Sequence, residues 1–182
     1  SVSIIVMDPE TGEIMAMANK PDYDPNNPRE PLDPELAEQW EELDSVELQN
    51  QWFQMWRNYA INDLYEPGST FKIVTAAAAL EEQSATLNSH YFCNGFIRDI
   101  KGVVIRCSSW YDPHGDQDFE TAFSNSCNPA FVGMARELGR DKLYEYIKAF
   151  GFGQVTGIDL PGEQKGLIPV SVNSIKEVNL AT

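Results

Sequence analysis

The segment STFKIVTAAAALEE, residues 69–82, constrains the fold of this chain more than any other stretch. Its middle is rich in alanine and apolar almost all round, so a helix formed here has to be enclosed by other elements. A Pro-Gly pair comes directly before it and marks its start. Ser69 and Lys72 are three residues apart, so on a helix they share one face. The chain therefore needs a buried helix that carries two polar groups near its beginning.

Composition limits the classes of partner. The 182 residues are 42% hydrophobic and 11% aromatic, which is typical of one folded domain with a core. The formal net charge of -15 opposes binding to nucleic acid phosphates and to anionic membrane surfaces, so we expect neither partner. Much of the acidity falls in residues 29–47, which we interpret as a solvated loop and a short helix. The sequence contains no signal peptide and no long apolar run, and we expect it to be a piece of a longer protein.

Around the buried helix the sequence predicts two strands followed mainly by helices, which is an α+β class short on strands. An aromatic cluster at 52–56 is expected to pack beneath the buried helix. The predicted elements are a β-hairpin from Ser1 to Met7 and Glu13 to Ala18, an irregular loop at 22–33, a short helix at 36–43, the helix at 69–82, a hairpin at 91–107, two helices that meet near Asn128-Pro129, a helix after Gly139, and loop with a short strand to the end.

The serine and lysine can form a nucleophile and its base. A serine hydroxyl reacts well only when a base takes its proton, and a lysine serves as that base when burial lowers its pKa. The apolar helix supplies the burial, and Ser69 at the helix start lies near backbone N–H groups that could stabilise an oxyanion. The competing interpretation is structural: Ser69 caps the helix, and Lys72 extends its amine to water.

A second pattern, Ser126-Cys127-Asn128, lies at the predicted helix break. At such a break Ser126 and Asn128 can point one way while Cys127 points the other. Ser126 can then relay protons to Lys72, and the Asn128 amide can hold Lys72 and a substrate carbonyl. An S-x-N pattern alone is weak, but together with S-x-x-K it is specific.

Four stretches carry a resemblance to the transpeptidase domain of class B penicillin-binding proteins. They are VMDPETGEIMAMANKPDYDPN, NYAINDLYEPGSTFK, HGDQDFETAFSNSCNPAF and FGFGQVTGIDLPGE, in the family's order. The resemblance implies a partial β-lactamase/transpeptidase-like domain over residues 1–182, with its opening hairpin at 1–20 and a mainly helical region at 21–182. It implies that Ser69 is the acylated nucleophile and Lys72 its general base. Ser126 and Asn128 match the family's second motif.

The resemblance also implies a function. The family cleaves a D-Ala–D-Ala bond in peptidoglycan stem peptides, transfers the acyl group to an amine, and is acylated by β-lactams without a cofactor. Its members act at the extracytoplasmic face of the bacterial membrane through an anchor absent from this chain, with a membrane-bound glycan polymerase and with division or elongation proteins. The family's third motif, K-T/S-G, is absent, so we expect this chain alone to be incomplete and its hairpin to have an unpaired edge.

Three alternatives remain at this point. A class D β-lactamase or β-lactam sensor shares S-x-x-K but prefers an apolar residue where Asn128 stands. A non-catalytic scaffold in a cell-wall synthase complex is disfavoured by the intact S-x-x-K. A Ser-His-Asp hydrolase is disfavoured because the sequence has no G-x-S-x-G elbow and no histidine near Ser69.

The remaining chemistry-bearing residues are three cysteines and a histidine near the second motif. Cysteine and histidine are the usual ligands of structural zinc, and some relatives share this pattern, which hints at sporulation. A disulfide with one spare thiol, or simply buried cysteines beside a surface histidine, would also fit the sequence. His90 is interpreted as a surface residue. The candidate zinc ligands are Cys93, Cys107, His114 and Cys127, with Asp112 or Asp116 as possible substitutes.

Overall fold

The computed structural model describes residues 1–169 and Ser171, and the chain divides into two compact units. Unit 1 comprises residues 1–64 and 157–164. Unit 2 comprises residues 65–156 and the described residues from 165 onward. The assignment of the whole chain to one partial domain stays a prediction.

Unit 1 begins with the predicted β-hairpin. Strand β1 (Val2–Met7) pairs antiparallel with β2 (Ile14–Lys20), and the register shifts between Val6 and Met7. The turn is stabilised by Asp8, whose carboxylate accepts the backbone N–H groups of Glu10 and Thr11. These hydrogen bonds hold the pKa of Asp8 below its usual value. The hairpin prediction is confirmed, and the second strand is longer than expected.

Three helices follow in unit 1: α1 (Pro34–Trp40), α2 (Ser45–Met55) and α3 (Tyr59–Asn62). Helix α1 starts and ends earlier than predicted, because Asp33 caps it and a proline occupies its first turn. Helix α2 was not predicted from the sequence. A capping box between Asp44 and Glu47 starts this helix, and that D-x-x-E spacing was a readable signal.

The aromatic cluster of unit 1 lies at the end of α2 and contacts the proline-rich loop. The indole N–H of Trp52 donates to the carbonyl of Arg29, and that of Trp56 donates to the carbonyl of Pro28. Phe53 is 56% exposed. These indoles therefore bind carbonyls of the loop predicted at 22–33, which satisfy their N–H donors. The packing of the rings beneath the buried helix stays a prediction.

Unit 2 is built on the apolar segment, which forms a short 3₁₀ turn (Gly68–Phe71) followed by α4 (Lys72–Glu81). Its alanines are buried against the helices that follow, so the predicted buried helix is confirmed, although Ile73 and Leu80 are exposed. The other elements of unit 2 are β3 (His90–Cys93), β4 (Phe96–Ile97), β5 (Ile105–Arg106), β6 (Gly115–Asp118), α5 (Phe119–Ser124), α6 (Asn128–Leu138) and α7 (Arg140–Ala149).

The strands of unit 2 correct the prediction of one hairpin at 91–107. Only the inner part is a hairpin, in which β4 pairs with β5. Strand β3 pairs with β6, so that Cys93 lies opposite Gly115. No strand occurs in the described residues beyond 156, where a short one was expected. Among the residues described, no helix has both the length and the apolar character needed to cross a bilayer.

Candidate active site

Ser69 and Lys72 lie where the 3₁₀ turn passes into α4. Ser69 is the second residue of the turn and is exposed, whereas Lys72 opens the α-helix and is only 4% exposed. The predicted helix at 69–82 therefore begins as a 3₁₀ turn. This tighter turn places the Ser69 Oγ 3.3 Å from the Lys72 Nζ, at the edge of a buried amine.

The amine of Lys72 is surrounded by oxygen atoms. It donates to the backbone carbonyl of Ser126 at 2.7 Å and to the Oδ1 of Asn128 at 2.5 Å. Neither of these oxygens can donate a proton in return. The hydroxyls of Ser126 and Ser69 lie 2.9 and 3.3 Å from the same Nζ. Within the described ranges, no carboxylate forms an ion pair with this amine.

Burial lowers the pKa of Lys72 below its usual 10.5, because an ammonium ion is costly to remove from water. Negative charge on the Cys127 and Cys107 sulfurs would act in the opposite direction. A neutral amine has two N–H groups and one lone pair. When two carbonyl-type oxygens take both N–H groups, the lone pair is left for a hydroxyl proton. The surroundings of Lys72 therefore suit a base.

The loop between α5 and α6 supplies the other two side chains. Ser126 has a φ of 48°, in the left-handed region that a serine rarely adopts. Asn128 is the first residue of α6, where the following proline is tolerated because its missing N–H lies in the first turn. The Asn128 Nδ2 donates to the carbonyl of Arg106 at 2.8 Å, which turns its Oδ1 toward Lys72. Strand β5 thus fixes the orientation of this amide.

The three polar side chains form a closed hydrogen-bonded triangle. The Ser126 Oγ donates to the Ser69 Oγ at 3.0 Å, and both hydroxyls lie near the Lys72 Nζ. A proton leaving Ser69 has two routes to the amine: directly, or through Ser126. The structure brings together all four residues that the two sequence motifs singled out.

The candidate metal ligands also converge. One ligand atom from each of Cys93, Cys107, His114 and Cys127 lies within 4.8 Å of all the others. The Cys107 Sγ is 3.6 Å from the His114 Nδ1. Sulfur ligands around tetrahedral zinc are about 3.8 Å apart for Zn–S bonds of about 2.3 Å, so a modest contraction would produce a zinc site. The donor set and its geometry fit that metal.

The protonation of the thiols differs within this cluster. Burial raises the pKa of Cys127 to about 12. Burial acts in the same direction on Cys107, but hydrogen bonds from the Ser109 backbone and the neighbouring thiols outweigh it and lower its pKa. The two carboxylates considered as substitutes lie outside the cluster. Asp116 pairs with exposed His90 at 2.8 Å, which agrees with a surface location for that histidine.

Two contacts of the site were missed from the sequence. The Lys72 Nζ lies over the aromatic ring of Phe131, 5.3 Å from the ring centroid. Phe131 follows Asn128 by three residues on α6, so helical spacing could have revealed it. The Arg106 carbonyl had no readable signal, because it is a backbone atom brought in by strand pairing.

Comparisons with known proteins agree on one family. A family model described as the penicillin binding protein transpeptidase domain matches residues 2–181. Stage V sporulation protein D of Bacillus subtilis (strain 168) is 41% identical over 165 residues, which cover 90% of this chain and 22% of that protein. The chain therefore spans less than a quarter of the length of this relative.

Two solved structures have similar folds. The D,D-transpeptidase domain of a peptidoglycan glycosyltransferase from Eggerthella lenta matches with a TM-score of 0.76 and 30% identity, covering 97% of this chain and 39% of that one. Penicillin-binding protein A from M. tuberculosis, solved as an imipenem acyl-enzyme complex, matches with a TM-score of 0.75 and 27% identity, covering 98% and 41%. Both confirm the predicted α+β class with short sheets.

Proposed function

The chain belongs to the penicillin-binding protein transpeptidase domain family, and from that premise we propose that it carries the acyl-transfer centre of a peptidoglycan D,D-transpeptidase. Ser69 is the nucleophile, Lys72 the general base, Ser126 the proton relay and Asn128 the residue that orients the lysine. The substrate is the D-Ala–D-Ala end of a peptidoglycan stem peptide, and β-lactams acylate the same serine.

In the proposed reaction, the Ser69 Oγ bonds to the carbonyl carbon of the penultimate D-alanine. Its proton passes to Lys72, directly or through Ser126. The bond from that carbon to the terminal D-alanine nitrogen breaks, and the departing nitrogen receives the proton. An amine of a second stem peptide then bonds to the acyl carbon, and the bond from that carbon to the Ser69 Oγ breaks. The proton lost by the amine passes through Lys72 to the Ser69 Oγ, which restores the hydroxyl.

The observation that carries this proposal is the surroundings of the Lys72 amine. Two obligate acceptors and two hydroxyls lie within 3.3 Å of Nζ. A lysine that only completed a core or reached water would not need a strained serine and an oriented amide around it. Asn128 also stands where class D β-lactamases prefer an apolar residue, so the geometry favours the transpeptidase over that alternative.

The test is the intact mass of the chain after incubation with penicillin G. We expect a stable adduct of one penicillin on the wild-type chain and none on Ser69→Ala. Thr70→Ala is the matched control, since its hydroxyl binds the Pro67 carbonyl and not Lys72; it should be acylated like the wild type. Labelling of Ser69→Ala would overturn the proposal, and absence of labelling on a wild-type chain with native circular dichroism would show that these 182 residues alone lack the activity. Rapid release of the adduct would favour a β-lactamase.

We also propose that Cys93, Cys107, His114 and Cys127 bind a structural zinc ion, although the acyl transfer needs no cofactor. The support is the convergence of four ligand atoms of the preferred types in one buried cluster. Zinc would also remove the proton from Cys127, which burial otherwise retains. Because Cys127 lies between Ser126 and Asn128, the metal would anchor the loop that holds Lys72.

Metal content and thermal unfolding test the zinc proposal. We expect one zinc per chain by elemental analysis and a lower melting temperature after chelation. His114→Gln should lose the metal, whereas His90→Gln, which changes the only other histidine, should retain it. A metal-free chain purified in the presence of zinc, or equal zinc content in both variants, would contradict the proposal.

For the longer protein we propose a location at the extracytoplasmic face of the bacterial membrane, held by an anchor outside this chain. Its partners would be a membrane-bound glycan polymerase and division, elongation or sporulation proteins. The similarity to a protein named for stage V of sporulation supports the last of these roles. Fractionation of the producing cells, with an antibody to this chain, would place the protein in the membrane fraction; recovery from the cytosol would contradict this.

A further inference from the structure

Unit 1 contains a cavity that has no part in the acyl-transfer site. It has a volume of about 350 Å³, within the range of about 300–1,000 Å³ that is usual for ligand pockets. All of its lining residues belong to unit 1, and its floor is mainly apolar. The apolar and aromatic side chains around it are Pro21, Leu32, Leu36, Trp40, Met55 and Tyr59.

Trp40 is an unusual member of this lining. It is only 7% exposed, and its Nε1 is a buried donor without a hydrogen-bond partner in the part of the chain that the structure describes. The indoles of Trp52 and Trp56 in the same unit both donate to loop carbonyls. Because buried donors are nearly always paired, the Trp40 N–H indicates a place for an acceptor that the described residues do not supply.

Other polar groups of the cavity are also available. The side-chain amides of Gln51 and Gln54 line it and make no hydrogen bond among the described residues, and the same holds for the Tyr59 hydroxyl. An amide carries both a donor and an acceptor, so these groups can pair with the main chain of an extended peptide. An apolar floor with main-chain pairing groups at its edge is the arrangement used to recognise linear segments.

The acidic charge around the cavity indicates which kind of peptide segment it would bind. Residues 30–47, which include α1 and several cavity residues, contain eight acidic and no basic side chains. The one cation that lines the cavity, Lys20, is already paired with Asp22 at 2.6 Å. Such a field attracts lysine and arginine and repels acidic chains, including a second copy of this one.

We propose that the unit 1 cavity binds an extended basic segment of a partner protein. One apolar side chain of the segment fills the cavity, and flanking lysines or arginines face the acidic residues of 30–47. A main-chain carbonyl of the segment accepts the Trp40 N–H once the side chains that cover this buried donor move aside. This interaction is independent of the acyl-transfer proposal, because none of the residues proposed for that chemistry lines the cavity.

The probe is a set of short peptides in which leucine, phenylalanine, methionine or proline is flanked by two lysines on each side. The matched set has glutamates in place of the lysines. The nuclear magnetic resonance signals of the four tryptophan indoles report binding, and the Trp40 signal is assigned on the wild-type chain by triple-resonance experiments. We expect at least one lysine peptide to shift this signal, and its binding to weaken as salt is added.

Two variants distinguish specific binding in the cavity from non-specific electrostatic attraction of basic peptides to the acidic surface. Trp40→Phe keeps an aromatic ring but removes the donor, and should weaken peptide binding by about 10-fold. Trp52→Phe removes an indole donor that already has a partner, and should leave binding unchanged. The proposal is overturned if no lysine peptide shifts Trp40, if glutamate peptides bind equally well, or if the Trp40 signal moves with protein concentration alone. The peptide comparison on the wild-type chain decides these points even when Trp40→Phe does not fold.

Discussion

The two units of this chain use their apolar residues differently. In unit 2, the buried side chains of α4 and α6 enclose one another, and Phe131, Val132 and Met134 are almost fully buried. In unit 1, Trp40 is the only buried hydrophobic residue among those described, and it is still 7% exposed. The apolar side chains of the β1–β2 hairpin, such as Val2 and Ile4, are about 60% exposed. Unit 2 therefore has its own core, and unit 1 leaves an apolar surface uncovered.

Charge follows the same division. Unit 1 contains sixteen acidic and three basic residues, whereas unit 2 contains twelve and ten. A balanced surface around a packed core suits a site whose geometry must be set from within. An acidic unit with exposed apolar side chains is typical of a surface that contacts other chain segments. The contrast agrees with the two proposals, which assign acyl transfer to unit 2 and binding of a partner segment to unit 1.

The prediction with the largest expected effect concerns stability, and it tests whether unit 2 has a packed core that unit 1 lacks. Phe131→Ala should lower the free energy of unfolding by about 3–5 kcal/mol, because it leaves a cavity between α4 and α6. Phe53→Ala makes the same chemical change at a half-exposed position of unit 1 and should cost about 0.5 kcal/mol. Urea unfolding followed by circular dichroism measures both. Similar losses for the two variants would contradict the claim that unit 2 alone has a stable core.

The second prediction concerns the buried amine. Asn128→Asp places a carboxylate where Lys72 now meets a neutral oxygen, and should raise the pKa of that lysine. Acylation by penicillin at neutral pH should fall by about 10-fold for each pKa unit gained, and should recover as the pH is raised. Asn128→Ala removes the same hydrogen bond without adding charge. The pH at which acylation of this variant is half-maximal should therefore stay low. Equal pH profiles for the two variants would mean that the lysine is not the base.

The lowered pKa of Lys72 also has a consequence for stability. Between the folded pKa and the unfolded value of 10.5, the unfolded chain binds more protons than the folded chain. The free energy of unfolding of the wild type should therefore rise with pH in this window, measured relative to Lys72→Met. An opposite slope would indicate that the amine stays protonated in the folded chain.

The fourth prediction compares two glycines. Gly95 in unit 2 has a φ of 91°, and a Cβ there would lie 2.9 Å from the Trp110 carbonyl oxygen. Gly12 in the hairpin turn has a φ of 74° with nothing within 4 Å. Gly95→Ala should cost about 3 kcal/mol, since backbone strain and a clash add, and Gly12→Ala about 1 kcal/mol from strain alone. Thermal unfolding of the two variants measures both losses of stability. A larger loss of stability for Gly12→Ala than for Gly95→Ala would contradict the prediction.

Much of unit 2 could be predicted from sequence because its signals are local. The apolar run predicted the buried helix, and the Asn-Pro pair predicted the start of α6. The two short motifs predicted the four polar residues of the site. The pairing of β3 with β6 was not predicted, because it joins segments separated by another hairpin. Three of the four oxygens around the Lys72 amine belong to side chains of the two motifs. The fourth, the carbonyl of Ser126, is a backbone atom and carries no sequence signal.

Unit 1 was harder to predict for a related reason. Helix α2 was missed although its capping box was readable, because its side chains lack a strongly apolar face and none of its residues is buried. The contacts of Trp52 and Trp56 with loop carbonyls again involve backbone atoms. Where a region has little core of its own, the pattern of apolar residues gives little information about its fold.

The smallest expected effect concerns the strain stored beside the site. Ser126 adopts a φ of 48° that glycine accepts freely and other residues accept at a cost of about 1 kcal/mol or more. Ser126→Gly and Ser126→Ala both remove the hydroxyl, so both should slow acylation to a similar degree. Ser126→Gly should nevertheless be the more stable of the two by about 1 kcal/mol in urea unfolding, because only it relieves the strain. If Ser126→Ala were as stable as Ser126→Gly, the loop would hold this conformation without cost, and the packing of unit 2 would not be needed to impose it.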